Sequence, residues 1–272
     1  MTDKHAISRV RHDLRRRLLT VTATERLTPN MLRITLAGDD LAGFVSAGHD
    51  DHVKLCFPNA GSDVPVWPAI GPDAVPLPDG VIASPVRDFT PRRHDAGSGE
   101  LLIDFAVHEA GPASDWATRA VPGSRLGVGG PRGSFVVTDD FDWYLLAGDE
   151  TALPAIGRRL EELRSGARAL VIATVAGAEE EQAFTSRADL DIRWLHRPLS
   201  QASDPAPVLE AAAALNLPEG DGYVWIAGET DIAKALRKHF VDERGIRKSW
   251  VKAAGYWRHG SVGFHENHDD KE

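Results

Sequence analysis

Trp143-Tyr144-Leu145-Leu146-Ala147-Gly148-Asp149-Glu150-Thr151-Ala152-Leu153-Pro154-Ala155-Ile156 changes texture twice. A continuous apolar run of strand length gives way to a tight polar turn opened by glycine. Apolar residues then recur at helical spacing, at Leu153, Ile156, Leu160 and Leu163. The succession returns downstream, with strands expected over residues 169–175, 191–195, 223–227 and 251–254 and helical patterns over 207–215 and 231–244. Strands alternating with helices imply a doubly wound parallel sheet, which holds its ligand at the carboxyl ends of its strands.

Upstream of a boundary near residues 137–142 the pattern differs. Runs at 18–24 and 31–38, separated by Thr28-Pro29-Asn30, read as two strands, and shorter strands are expected at 52–57, 87–93, 100–108 and 124–128. Asp95-Ala96-Gly97-Ser98-Gly99 reads as a hairpin connection. Prolines at 58, 65, 68, 72, 76, 78 and 85 make 58–85 a long surface loop of the kind that lies over a ligand. One short helix is expected at 115–120, ended by Pro122-Gly123, before the glycine-rich Gly129-Gly130-Pro131-Arg132-Gly133. Many short strands with one small helix predict a Greek-key β-barrel. The expected organisation is a barrel domain at 13–138, an α/β domain at 142–260 and a polar tail at 261–272.

Composition narrows the function. A formal net charge of −9 argues against a nucleic-acid binder, so any basic site must be local. The single cysteine, Cys56, excludes an intrachain disulfide and an all-cysteine iron–sulfur or zinc site, and fits a reducing compartment. The charged stretch 1–17 does not resemble a signal peptide, and no run approaches the ~20 apolar residues of a membrane span. A cytoplasmic protein without membrane insertion is expected. The histidines lack metal-ligand spacing, and no Walker A, Gly-x-Ser-x-Gly or His-Glu-x-x-His motif is present.

Four clusters can carry chemistry. Arg87-Asp88-Phe89-Thr90-Pro91-Arg92 puts a guanidinium and an aromatic ring on one face of a strand and a hydroxyl beside them, which suits a flavin and its diphosphate; an ordinary half-buried strand is the alternative. Gly111-Pro112-Ala113-Ser114 precedes a helix and suits a diphosphate, unless Ser114 is simply its N-cap. Gly148-Asp149-Glu150-Thr151 and Gly228-Glu229-Thr230 end two strands and can flank one nucleotide crevice. Asp149 and Glu150 would repel a diphosphate, so they are expected to face ribose hydroxyls, the flavin edge or solvent, or merely to complement a helix dipole. Tyr256-Trp257-Arg258 at the end of the last strand reads as a lid on a flat cofactor or as a hydrophobic plug.

Taken in order, these segments resemble the siderophore-interacting proteins, flavin-dependent members of the ferredoxin-reductase-like superfamily. The resemblance runs from about Leu18 to Gly260 and also includes His52-Val53-Lys54-Leu55-Cys56-Phe57-Pro58, Asp104-Phe105-Ala106-Val107-His108 and Trp194-Leu195-His196-Arg197. It implies an N-terminal FAD-binding barrel and a C-terminal NAD(P)H-binding domain. The implied activity is cytoplasmic reduction of ferric siderophores, with iron released as Fe(II). The implied cofactor contacts are Arg87, Phe89, Thr90, Asp104, His108, Gly111, Ala113, Ser114, Gly148, Asp149, Glu150, Thr151, Arg197, Gly228 and Trp257. Lys54, Arg132 and Arg258 are the implied cations of the siderophore pocket. No side chain is assigned a catalytic role and no resident metal is expected. The chain is expected to be a monomer, with a protein electron donor as an alternative to NAD(P)H.

Two departures from the family pattern stand out. Phe89 replaces the usual tyrosine, which keeps the ring and loses a phenolic hydrogen bond. Ala176-Gly177-Ala178-Glu179-Glu180-Glu181 is acidic where a 2′-phosphate wants arginine, which leaves Arg197 as the expected contact and NADH as a possible donor. The rival readings are a reductase serving a protein partner and a siderophore binder without turnover.

Overall fold

A computed structural model describes residues 4–69, 76–107 and 111–261. The chain divides into two compact units, one at Ile7–Val137 and one built from Thr138 onward together with the segment before Ile7.

The first unit contains β1 (Ile7–Arg11), β2 (Arg16–Thr28), β3 (Met31–Ala37), β4 (Val53–Cys56), β5 (Val86–Phe89), β6 (Pro91–Asp95), β7 (Glu100–Ala106), α1 (Pro112–Arg119), β8 (Arg125–Gly129) and β9 (Gly133–Val137). Seven strands form one antiparallel sheet in the order β5-β4-β8-β2-β3-β7-β6. The edges of this sheet, β5 and β6, are joined by Thr90 alone. Laid flat, the seven strands would hold their edges ~29 Å apart at ~4.8 Å per gap. Phe89 and Pro91 are two chain steps apart, at most ~7 Å. The sheet therefore rolls until its edges meet across that one residue, and the expected single strand at 87–93 is two strands bent at the seam of a barrel.

Alternation fills the barrel. Leu19 and Val21 of β2, Ile34 and Leu36 of β3, Val53 and Leu55 of β4, Leu101 and Ile103 of β7, and Leu126 and Val128 of β8 are all buried in one core. Gly127 and Gly129 point the other way, and there the proline-rich loop is pinned. A Cβ on Gly127 would stand 2.9 Å from the ring of Trp67, and the Arg16 guanidinium lies over that ring at 5.2 Å. β1 and β9 pair with each other outside the main sheet. Neither was expected from sequence, because each is short and its partner lies more than a hundred residues away in the chain.

The second unit contains β10 (Trp143–Gly148), α2 (Leu153–Glu162), β11 (Arg168–Val175), β12 (Asp189–His196), α3 (Ala206–Ala213), β13 (Gly222–Glu229), α4 (Thr230–Lys238) and β14 (Val251–Trp257). The five strands are parallel in the order β12-β11-β10-β13-β14. The chain moves outward from β10 through β11 and β12, then returns to the other side of β10, so the strand order reverses between β10 and β13. A doubly wound sheet opens its binding crevice at that point. The helix expected over 231–244 is regular only to Lys238; it continues as a wider turn at His239–Glu243, in which the Arg244 N–H donates to the His239 carbonyl at 3.0 Å.

The segment before Ile7 is fastened to this second unit. The His5 backbone N–H donates to Asp140 at 2.9 Å. Its Nδ1 and Nε2 face Asp140 and Asp221 at 3.2 and 2.9 Å, and its ring stacks on Phe141 at 4.1 Å.

Candidate functional site

In the barrel unit the register sets the face of each candidate. Arg87 and Phe89 stand opposite Leu55 and Val53, whose side chains are buried, so both share the core-side face, while Asp88 and Lys54 share the outer one. Phe89 is half-buried, with its ring 4.5 Å from Phe105 and 6.3 Å from Phe57. Trp116 of α1 joins the same aromatic group, 5.8 Å from Phe57 and 5.9 Å from Phe105. Arg87 is half-buried; its Nη1 donates to the Val86 carbonyl at 2.8 Å, and no carboxylate takes its fork among the described residues. Thr90 is buried at the seam. His108 lies outside the described residues.

Asp104 differs from its expected role as a cofactor contact. It is buried, accepts two hydrogen bonds from the Arg33 guanidinium at 2.7 and 2.8 Å, and has Arg92 Nε at 3.7 Å, so its charge is balanced on the face of β7 opposite the core residues Ile103 and Phe105. Lys54 donates to Asp88 at 2.9 and 3.2 Å, Arg132 is exposed, and Arg258 belongs to the other unit, 3.7 Å from Asp231.

Helix α1 starts earlier than expected. Gly111 is its N-cap and Pro112 its first residue, so Ser114 lies within the first turn and does not cap it. Among the described residues no side chain caps the helix, and Pro112 has no N–H, which leaves the Ala113 and Ser114 amides as the unfilled donors there. A Cβ on Gly111 would meet nothing within 4 Å among the described residues. Uncapped amides, a guanidinium that no described carboxylate claims and half-buried rings at Phe89 and Trp116 fit a diphosphate linked to a flat heterocycle.

In the second unit, Gly148 and Gly228 end the two central strands. A Cβ on Gly148 would come within 2.4 Å of the Ala152 Cβ and 2.6 Å of the Ala227 carbonyl oxygen. Gly228 has φ of 139°, and a Cβ there would press on the Asp149 carboxylate. That carboxylate takes four donors. The Thr151 N–H and hydroxyl donate to Oδ1 at 2.9 and 2.6 Å, while the Glu229 N–H and Trp257 Nε1 donate to Oδ2 at 2.8 and 2.7 Å.

Glu150 is also buried and receives both terminal nitrogens of Arg197, at 3.0 and 2.8 Å. Burial, with the Asp149 charge beside it, raises the Glu150 carboxyl above its usual range against the pull of Arg197. Of the readings open for these two acids, the geometry matches protein partners at the turn itself rather than solvent. At a strand-to-helix turn, main-chain amides and a buried cation compete for carboxylates more closely than solvent does. Arg197 likewise differs from the free cation expected for a 2′-phosphate.

A small cavity at the carboxyl ends of these strands is lined by Gly148, Asp149, Thr174, Arg197 and Glu229 together with apolar side chains such as Ile226 and Leu236. The sequence reading missed Trp116, Thr174 and the capping role of Glu229, whose side chain accepts from the Asp231 and Ile232 amides. A carboxylate immediately before an amphipathic helix was the available signal for Glu229.

Residues 20–135 match the family model of the siderophore-interacting FAD-binding domain, and residues 141–260 match that of siderophore-interacting protein. Over 252 residues the chain is 39% identical to the NADPH-dependent ferric-chelate reductase of Escherichia coli, a match covering 92% of this chain and 95% of that one. The chain belongs to the siderophore-interacting protein family. The ferric vibriobactin reductase of Vibrio cholerae is 36% identical to this siderophore-interacting protein, with 92% and 93% of the two chains covered. The crystal structure of a siderophore utilization protein from T. fusca superposes with a TM-score of 0.86 at 39% identity, over 96% and 99% of the chains. The rolled antiparallel unit of this siderophore-interacting protein is its FAD-binding domain, and the parallel sheet is its α/β partner.

Proposed function

We propose that this protein reduces ferric siderophores to release Fe(II), with electrons from NAD(P)H and FAD as its cofactor. The observation that carries the reading is the near full-length match to the Escherichia coli ferric-chelate reductase, on a chain whose barrel matches a FAD-binding family model. FAD, when bound, supplies the conversion between a hydride donor's electron pair and the single electron that Fe(III) accepts. Arg87 and the Ala113 and Ser114 amides would neutralise its diphosphate, and Phe89 with Trp116 would give its ring system an apolar wall. The dinucleotide would lie in the crevice at Gly148, Thr151 and Gly228, with Trp257 held there by Asp149.

Ferric catecholates carry several negative charges, so an acidic protein needs local cations to hold them; Lys54, Arg132 and Arg258 are the candidates. Release follows because hard oxygen chelators bind Fe(II) far less tightly than Fe(III). No described helix is long and apolar enough to cross a membrane, and the buried free thiol of Cys56 suits the cytoplasm.

The test is spectroscopic. Purified protein reconstituted with FAD should show flavin absorbance, bleach anaerobically on addition of NADPH or NADH, and recover it on addition of a ferric siderophore as a chromogenic chelator captures Fe(II). Absence of flavin uptake, or bleaching by neither donor, would remove the reading. Neutralising Lys54, Arg132 and Arg258 together should raise the Michaelis constant for an anionic ferric siderophore while FAD content holds. An unchanged constant would move the pocket elsewhere.

A further inference from the structure

Resting on the donor reading above, we propose that Glu150 governs the choice between the two nicotinamide dinucleotides by occupying the fork of Arg197. NADPH differs from NADH by one 2′-phosphate, and a protein reads that group through the paired N–H bonds and uncancelled charge of a guanidinium. Arg197 follows β12 directly and lines the crevice at the carboxyl ends of the strands. Its Nη1 and Nη2 both donate to Glu150, and the two side chains are only 6% and 7% exposed. Glu150 thus takes the paired, bidentate face of the fork and cancels its charge.

Besides the second hydrogen on each terminal nitrogen, Arg197 retains Nε–H, which is buried and makes no hydrogen bond among the described residues. Unpaired N–H groups beside a neutralised ion pair suit an uncharged acceptor, a ribose oxygen or a ring nitrogen, which both dinucleotides carry. Carboxylates predominate around it among the described residues, although Glu181 faces His196 at 2.8 Å. Asp149 and Glu229 line the same cavity, and Glu180 and Glu181 follow β11, with Glu180 itself buried. A phosphate dianion entering here meets net negative charge, so the intact protein does not favour NADPH. Without the Glu150 charge the fork reopens, and selectivity moves toward the 2′-phosphate.

Calorimetric titration of the FAD-loaded protein with adenosine 2′,5′-bisphosphate and with 5′-AMP reads this selectivity without turnover. The two should bind the unmodified protein with similar affinity. In Glu150→Gln the bisphosphate should gain at least about tenfold over 5′-AMP, the scale of one charge-assisted pair, and the NADPH over NADH ratio of flavin-reduction rates should rise with it. In Glu150→Gln/Arg197→Gln the gain should vanish, because the cation is gone. An unchanged ratio in folded, FAD-loaded Glu150→Gln overturns the proposal. Arg197→Gln alone serves if Glu150→Gln does not fold: it should weaken both ligands alike, and a selective loss of the bisphosphate overturns the proposal. If the unmodified protein binds neither ligand and neither dinucleotide bleaches its flavin, the donor reading falls too. If it bleaches with both and only the variant's ratio stays put, this inference falls alone.

Discussion

Arg87 and Cys56 show how one residue's surroundings decide what it can do. Arg87 is half-buried on the core-side face of β5 with its fork unclaimed by any described carboxylate. Replacing it with alanine should remove about 1.5–3 kcal/mol of charge-assisted binding, which weakens FAD affinity by roughly ten- to a hundredfold. Equilibrium dialysis of the apoprotein checks this, and the melting temperature of the flavin-free form should barely change. Cys56 lies under the proline-rich loop, and burial pushes its thiol up to about 11. At pH 8 only about one thiol in a thousand is ionised, so iodoacetamide should leave the folded protein unmodified and label it promptly in denaturant. The roles of Arg87 and of the Gly148 turn were legible from residue type and spacing. The partners of Asp104 and Arg197 were not: Arg33 and Glu150 are brought to them by sheet register and topology, and local sequence does not carry that.

At the level of elements, legibility followed period. β10, β11, β13 and α2 were readable because a strand buried on both faces is continuously apolar and the helix repeats every three to four residues. β1 and β9 were hidden, since Ile7–Arg11 alternates only one way with charge and gains its pairing from a distant strand. The start of α1 was displaced because Gly-Pro reads as a turn when Pro is in fact the first helical residue. The junction of β10 with α2 is the most constrained of these elements. Gly148→Ala would drive a methyl into the Ala152 Cβ and the Ala227 carbonyl, both fixed by main chain, at a cost of about 1–3 kcal/mol. Melting monitored by fluorescence should show an earlier transition and weakened dinucleotide binding, while FAD content is retained. Equal loss of FAD would show that the damage is not confined to that element.

For the molecule as a whole, the chain passes between its two units twice, at Ala6 to Ile7 and at Val137 to Thr138, with Ile7 opposite Val137 and the Thr138 N–H donating to the Ala6 carbonyl at 3.3 Å. The contacts of His5 hold the first crossing in place. The His5 amide, foremost, and the Thr138 hydroxyl hold the Asp140 carboxyl down at about 2, below an unfolded value of about 3.9. A depressed carboxyl stabilises the fold above its unfolded value, and that contribution is lost as pH falls through the folded one. The melting temperatures of the unmodified protein and Asp140→Asn should therefore differ by a constant amount above about pH 5 and converge toward pH 2. With the Asp140 side chain 41% exposed, the gap should be modest and shrink in salt. A gap that persists at pH 2 would assign the effect to something other than this charge. The same fastening has a consequence for biosynthesis. Lys4, His5 and Ala6 leave the ribosome before any of the barrel, yet the residues that receive His5, at 140, 141, 221 and 250, leave only after it. The barrel can close while translation continues, whereas the unit completed last must recapture a strip of chain that was synthesised first.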